Sequence, residues 1–407
     1  DETRAIEAAK LLLLRRNARR VLPDWCRLCG YEPSLHHRFM LTKLEAVCRG
    51  EIKRLMIFMP PGSAKALEVH TPIPTPTGWT EIGLLKVGDV VFDERGNVCN
   101  VTYVSPVWKN RPVYAVHTDT DDTIIADTDH EWLVSVCRKH GKFSLKKTHE
   151  LCRDRVKRPM IRQARPLSLL PITLPLDPYV LGVWLGDGSK SGGRITQSVE
   201  DQEFIRAEFA RRGYATNDNE HKFNFTVGDI RKHLVSFGLL TDHLVTGFKH
   251  IPSIYLRSGY WQRLDLLQGL VDTDGTVCKE SGMITFSNTN KTIIDGVCEL
   301  IRSLGVKCSC VEAPAMLNRK YCGSYWRVNF YLQGGAKLPR KAILTKSNDR
   351  TPNTYIDVFP AGQRDTVCIS VDSTSHLFLC GRSMIPTHNS TYGSILFPPF
   401  FLAQRNR

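Results

Sequence analysis

Residues that belong to one phosphate-binding loop stand at opposite ends of this chain. The stretch "FMPPGSAK" (58–65) follows an apolar run with a Pro-Pro-Gly turn, small residues and Lys65. That is the pattern of a loop whose backbone amides and lysine cradle nucleotide phosphates. Such a loop needs a hydroxyl directly after the lysine to hold the nucleotide's magnesium. Here Ala66 and Leu67 follow instead, and the hydroxyls Ser390 and Thr391 stand far downstream in "MIPTHNSTYGSILF". Removing residues 66–389 joins Lys65 to Ser390 and reads "PPGSAKSTYGS". Inside the insert, two apolar stretches end in Asp-Gly: "VLGVWLGDG" with Asp187 and "LQGLVDTDG" with Asp274. Each is followed by a polar loop, a strand pattern (Arg194–Ser198; Met283–Asn288) and an amphipathic helix pattern. The region is therefore an internal repeat, which predicts two similar halves.

The elements that must position these residues change character along the chain. A helical pattern from Ile6 through Arg20 and a turn at Pro23 lead to the apolar run before the loop. From Ala66 to about Val136, apolar and polar residues alternate between Gly and Pro punctuation, predicting short strands in an all-β unit. The basic, proline-bearing text "RDRVKRPMIRQARPL" (153–167) reads as a linker. Residues 173–338 read as mixed α/β, and "YIDVF" and "TVCISVDSTSHLFLCG" return to short strands. The β unit is thus interrupted by an α/β domain. The 407 residues carry a formal charge of +14, which suits a polyanionic partner such as DNA. Thirteen cysteines without framework spacing fit a reducing compartment. No pattern of a signal peptide or membrane span is present. Cys26 and Cys29, followed by His36 and His37, make a partial zinc pattern lacking a second cysteine pair, so ordinary thiols on a turn are the favoured reading.

An insert that restores a motif on removal, and that ends in His388–Asn389 before a hydroxyl residue, resembles an intein. "TPIPTPTGWTEIGLLKVGDVVF", "IADTDHEWLV", "TVCISVDSTSHLFL" and "MIPTHNS" resemble four blocks of that family, and they cover 66–165 and 342–389. The resemblance implies an all-β horseshoe splicing fold of the Hedgehog/intein (HINT) type. Its flanks, 1–65 and 390–407, resemble the ATPase region of a phage large terminase subunit and are too short for a whole ATPase. The implied chemistry is acyl transfer from the Ala66 nitrogen to the Ser390 nitrogen, with no cofactor. His130 would protonate the departing amine. Asn389 would cyclise to cut the 389–390 bond, assisted by His388 or His376. Asp127 stands where the family usually has threonine, and an acid there would orient or charge the His130 ring.

Most inteins begin with a Cys or Ser nucleophile, whereas Ala66 has only a methyl group. Class 3 inteins lack that first nucleophile and use a cysteine in the penultimate block. Their accompanying marks are a tryptophan two residues after the block histidine and a threonine before the terminal His-Asn; Cys368, Trp132 and Thr387 match these positions. The resemblance therefore implies attack by the Cys368 thiolate on the Lys65 carbonyl. The alternative is a class 1 intein disabled at position 66.

"LQGLVDTDG" resembles the LAGLIDADG motif, with "VLGVWLGDG" a looser copy, and two copies in 173–338 resemble a monomeric homing endonuclease of pseudo-twofold α/β fold. That family's small helix residues allow close packing, bringing Asp187 and Asp274 together to bind magnesium. "KHIP" supplies Lys249 as a charge stabiliser, with Lys337 in "AKLP" as its second-half counterpart. Arg194, Gln197 and Asn288 are expected to read bases in the major groove. The expected target is double-stranded DNA, the terminase gene lacking the insert, cut in the cytoplasm of a host cell. The rival readings are a decayed endonuclease that only binds DNA, a packaging ATPase with a passive insert, and a hedgehog-like autoprocessing module.

Overall fold

A computed structural model describes residues 12–13, 15–18, 21–28, 35–53, 66–135, 142–152, 158–219, 221–240, 247–317, 320–347 and 353–388. The chain divides into two units, Asp1–Ser63 with Ser390–Arg407, and Ala64–Asn389. In the first unit, helices Leu22–Leu28 and Leu35–Cys48 share a small core of Leu22, Cys26 and Leu41. Pro23, expected to mark a turn, lies in the first helical turn, where a missing N–H costs no hydrogen bond. Cys29 and the side chains of His36 and His37 fall outside the described residues. So do Lys65, Asn389, Ser390 and Thr391.

The second unit begins with the predicted β text. Along Val98–Val104 buried and exposed residues alternate, with Cys99 and Val101 turned inward, because successive strand side chains point to opposite faces. A seven-stranded antiparallel sheet runs in the order Leu67–Glu68, Thr123–Asp127, Trp108–Thr118, Asn353–Val367, Met160–Arg162, Glu131–Ser135 and Ser144–Lys147. Leu67–Glu68 pairs a second time, with Asn353–Val367. Two expectations change here. "YIDVF" is part of a strand of 15 residues, not a short one. Its register shifts between Pro360 and Gln363, where Gly362 at φ 78° supplies a bend that lets one strand serve several partners. The basic "linker" contributes the strand Met160–Arg162, because Met160 and Ile161 are apolar and buried between two partners. Smaller pairings complete the β part: Val90–Phe92 and Ile369–Val371 flank Val98–Val104, and Leu377–Cys380 pairs with Ile385–His388.

The α/β part is built around two helices, Pro178–Asp187 and Tyr260–Asp274. The first starts on Asp177, whose carboxylate accepts from the N–H groups of Tyr179 and Val180, with Pro178 at the first helical position. Each helix ends at the aspartate of its Asp-Gly pair. The two lie backbone to backbone. A methyl group on Gly182 would stand 2.4 Å from the Leu266 carbonyl oxygen, and one on Gly269 would stand 2.5 Å from that of Tyr179. Each helix is followed by an antiparallel sheet, of three strands after the first and four after the second, and by a helix, Val199–Arg211 or Lys291–Ser303. The strands expected at 194–198 and 283–288 are Arg194–Thr196 and Ile284–Asn288. Trp184, Leu266, Leu267, Leu270 and Val271 lie in one continuous core. Among the described residues no helix is long and apolar enough to cross a membrane.

Candidate functional site

Two groupings of chemistry-bearing side chains occur in the second unit. The first lies at the ends of the paired helices. Asp187 and Asp274 are both half-buried, and each accepts from a side-chain amide: Gln197 Nε2 donates to Asp187 at 3.0 Å, and Asn288 Nδ2 to Asp274 at 2.9 Å. Burial, reinforced by repulsion from Asp274, pushes the Asp187 carboxyl up to about 6. Burial also raises Asp274, against the Asn288 hydrogen bond and Lys249. Gln197 and Asn288 are thus engaged with the carboxylates, where the sequence reading had them facing bases. Arg194 is exposed on its strand, with one guanidinium nitrogen 3.4 Å from Ser189 Oγ.

Behind each aspartate a lysine closes the helix end. Lys249 Nζ donates to the carbonyls of Trp184, Leu185 and Gly186 at 3.1, 2.9 and 3.0 Å. Lys341 Nζ donates to Val271, Asp272 and Thr273 at 2.8, 2.7 and 3.4 Å, the same three positions of the repeat counted back from Asp274, and to Gly275 at 2.7 Å. An ammonium here answers the negative end of the helix dipole and the last unpaired carbonyls. Burial lowers both ammonium groups, Lys249 to about 8. The counterpart of Lys249 is therefore Lys341 and not Lys337. Lys337 instead makes an ion pair with Asp265 at 2.7 Å, while its backbone N–H caps the Asp272 carboxylate. The matched "KHIP" and "AKLP" text misled because the second lysine reaches the helix end from the short helix Pro339–Ala342, after the proline rather than before it.

The second grouping lies in the β part. His130 is fully buried; its Nε2 is 2.5 Å from Thr387 Oγ1, and the Trp132 ring meets it edge-on at 4.9 Å between centroids. Trp132 Nε1 donates to Thr148 Oγ1 at 3.1 Å, and that hydroxyl donates to the His130 carbonyl at 3.0 Å. His130 and Trp132, at the start of one strand, thus meet Thr387, which comes from a strand far along the chain. Asp127 links this cluster to Ala66 through its backbone: its N–H donates to the Ala66 carbonyl at 2.9 Å, and its carbonyl accepts from the His130 N–H at 3.0 Å. Its carboxylate receives Arg111 Nε at 2.9 Å.

Ala66 and Cys368 are both buried. Leu67 pairs with Val367 and Glu68 with Thr366 in antiparallel register, so Ala66 and Cys368 are the residues that directly adjoin the terminal pair Leu67–Val367. Ser105 holds Cys368 from both sides, donating its N–H to the Cys368 carbonyl at 2.9 Å and accepting the Cys368 N–H at 3.0 Å. His388 is buried and pairs with Leu377, and His376 precedes that pair at φ 56°. Sequence reading missed Arg111, Thr148, Ser105 and Lys341. Only Lys341 carried a signal, as a lysine just beyond the second-half motif; the others are ordinary strand and turn residues whose role comes from pairing.

Residues 250–347 match the family model for the homing endonuclease. The replicative DNA helicase DnaB of Mycobacterium intracellulare is 34% identical over 367 residues, covering 82% of this chain and 60% of that protein. DnaB of Mycobacterium leprae (strain TN) is 36% identical over 96 residues, covering 23% of this chain and 16% of that one. The chain thus spans 60% of the length of the first relative and a sixth of the second. A crystal structure of the MchDnaB-1 intein aligns over 80% of this chain and 100% of its own, at 14% identity and TM-score 0.29. One of I-DmoI in complex with DNA and Ca aligns over 41% and 94%, at 15% identity and TM-score 0.25.

Proposed function

We propose that residues 66–389 form an intein, with a HINT-type splicing fold, that excises itself and joins Lys65 to Ser390. The observation that carries this reading is the pairing of Leu67 with Val367, the chain neighbours of Ala66 and Cys368. The residue at the upstream junction has no nucleophile, and the residue after Val367 supplies a thiol. In this reading Cys368 Sγ attacks the Lys65 carbonyl and the 65–66 bond breaks. The proton lost by the thiol is matched by one that His130 delivers to the Ala66 amine. Thr387 and Trp132 fix the imidazole on two sides, so that its proton is aimed before the amine leaves. The acyl group then passes to Ser390 Oγ, returning the thiol. The Asn389 side-chain nitrogen attacks its own carbonyl and releases the Ser390 amine, with His388 or His376 as proton donor. That amine takes the acyl group from its own oxygen, which completes the new peptide bond. Two peptide bonds are broken, and one new peptide bond and the cyclic imide bond of Asn389 are made, so no nucleotide is consumed.

Mass spectrometry of the incubated chain tests this reading. The expected result is a ligated flank product and a released 66–389 fragment, both lost with Cys368→Ala. The second reading, a class 1 intein disabled at position 66, is favoured by the methyl side chain of Ala66; an inert parent with an active Ala66→Cys variant would establish it and overturn the role of Cys368.

Within the insert, we read the paired-helix region as a pseudo-twofold LAGLIDADG endonuclease acting on double-stranded DNA as a monomer. Two half-buried carboxylates that repel one another and accept only neutral amides suit a divalent cation such as magnesium, which takes few protein oxygens and keeps waters and phosphate oxygens. Asp187 and Asp274 would hold it. When bound it would supply activation of water and charge neutralisation at the phosphate. Gln197 and Asn288 orient the carboxylates, and Lys249 and Lys341 hold the helix ends that present them. For the flanks, the "PPGSAK" and "STYGS" text supports a phosphate-loop ATPase host, more finely a phage terminase, and a cytoplasmic setting. The relatives bear the name of a replicative helicase, so a helicase host is the competing reading. Cleavage of plasmids carrying either joined gene site separates the two hosts.

A further inference from the structure

The endonuclease half touches the splicing half mainly through cations that donate to carbonyls and carboxylates, and one of these contacts leads to the downstream junction. Arg302, on helix Lys291–Ser303, is a buried guanidinium. One of its terminal nitrogens donates to the Thr120 carbonyl at 2.8 Å and the other to the Arg382 carbonyl at 3.3 Å. Thr120 lies in the turn Asp119–Asp122 between two strands of the large sheet, and Arg382 in the turn of the hairpin Leu377–Cys380/Ile385–His388. The same helix-and-strand element reinforces the grip. Lys307 Nζ donates to Asp119 at 2.6 Å, and the Cys310 N–H donates to Asp121 at 3.2 Å.

The gripped turn in turn holds the hairpin. Thr120 Oγ1 and Ser383 Oγ are 2.7 Å apart, and the Ser383 N–H donates to the Asp122 carboxylate at 2.7 Å. Asp121 and Met384 both sit at positive φ, 59° and 51°. Left-handed backbone at non-glycine residues costs free energy and persists only where surrounding contacts fix it. The hairpin's other end carries Thr387, against His130, and His388. A strand pair held at its turn has its register fixed at its open end, since a slip of one residue would turn Thr387 away from the imidazole.

We infer that Arg302, a residue of the endonuclease half, is a positioning residue for chemistry at the downstream junction, acting through Thr120, Ser383 and the hairpin that bears Thr387 and His388. This rests on the splicing reading above. A guanidinium suits the task because its rigid fork addresses two carbonyls on two different turns at once, where a lysine presents a single point charge.

The test uses the full chain with Arg302→Ala, Arg302→Lys, Ser383→Ala and the Arg302→Ala/Ser383→Ala pair, and follows the two junctions separately by mass spectrometry. Loss of charged, buried hydrogen bonds should slow cleavage at 389–390 about tenfold in Arg302→Ala. Formation of the thioester branch, which feels the hairpin only through Thr387 at His130, should slow less, by about threefold, so that branched species still accumulate, and Arg302→Lys should recover part of the loss. The paired variant should be no slower than the slower single one, because both act through one contact chain. Equal slowing at both junctions, or none, overturns the inference. Hydrogen exchange provides a readout independent of splicing: Arg302→Ala should speed exchange in 384–388 and leave 131–135 unchanged. If the parent forms neither branch nor product, the splicing reading fails, and unchanged exchange in 384–388 overturns the Arg302 assignment by itself.

Discussion

The two sites of this molecule are assembled in opposite ways. At the paired helices, everything occurs twice: two aspartates, two amides on them, two lysines on equivalent carbonyls. At the β site, nothing repeats. His130, Trp132 and Thr387 each occur once and meet through a hydrogen bond and a ring contact, while Ala66 and Cys368 adjoin the pair Leu67–Val367. A duplicated site tolerates charge, since like carboxylates facing each other can be answered by a shared cation. A site of single copies relies on buried side chains and on register. Electrostatics therefore governs the first and geometry the second, so they should respond to different perturbations.

The largest effects should dissociate them. Cys368→Ala should abolish the ligated product while plasmid cleavage in magnesium persists, and Asp274→Asn should lower cleavage by roughly a thousandfold or more with splicing unchanged. Parallel mass spectrometry and gel assays on both variants measure this. Loss of both activities in either variant would merge the two sites into one.

Next in size is the helix contact on which the duplication depends. Gly182→Ala places a methyl 2.4 Å from a backbone oxygen that cannot rotate aside. The helices must separate, at a cost of about 3 kcal/mol, the upper end for overpacking. Urea denaturation should show this loss, and DNA cleavage should fall before splicing does. Unchanged stability would mean that the close backbone approach does not govern the paired aspartates.

Both sites were partly legible in the sequence, for different reasons. The repeat exposed itself, since the second Asp-Gly motif named its twin, and the family resemblance of the two motifs implied close helix packing. Trp132 and Thr387 were found by family resemblance alone, since a tryptophan in a strand or a threonine before a histidine carries no chemistry until Nε2 of His130 is placed beside it. Ser105, Arg111 and Thr148 were illegible because their function is to hold a neighbour's backbone or carboxylate, and such partners are set by long-range pairing. The long strand Asn353–Val367 read as a short one because its proline and glycine look like punctuation; tertiary pairing overrode them with a bulge.

Lys341 tests how far the duplication reaches. Lys341→Met would leave several buried carbonyls without their donor and remove the charge that answers the helix end, for a loss of about 2–3 kcal/mol. Lys249→Met should cost a similar amount, as an equivalent of the repeat must. Lys337→Met would break only an ion pair with solvent access, worth below about 1 kcal/mol. Denaturation midpoints of the three variants rank them directly. A larger loss at Lys337 than at Lys341 would restore the pairing suggested by the text "AKLP".

The smallest effect has an unusual sign. Asp187 titrates near 6 in the folded chain, above the ordinary aspartate value of 3.8, because burial and Asp274 oppose its charge. A raised folded-state pKa contributes stability that is complete below the unfolded value and is lost as pH rises through the folded one. The ionised carboxylate therefore destabilises the metal-free protein above about pH 6. Asp187→Asn removes that burden, so at pH 7.5 without magnesium the variant should be more stable than the parent by up to about 2 kcal/mol, while DNA cleavage is lost. The gain should shrink between pH 6 and pH 4 as the parent's carboxyl takes up its proton. Magnesium should raise the melting temperature of the parent more than that of the variant, because binding rewards the pair of charges that folding strains. Scanning calorimetry at two pH values, with and without the ion, measures all three differences. No equivalent gain is expected from His130→Gln at the β site, where the imidazole is fixed by Thr387 and Trp132 and no like charge faces it among the contacts described. A stabilised His130→Gln variant would show that the β site also stores electrostatic strain, and the contrast between the two sites would fail.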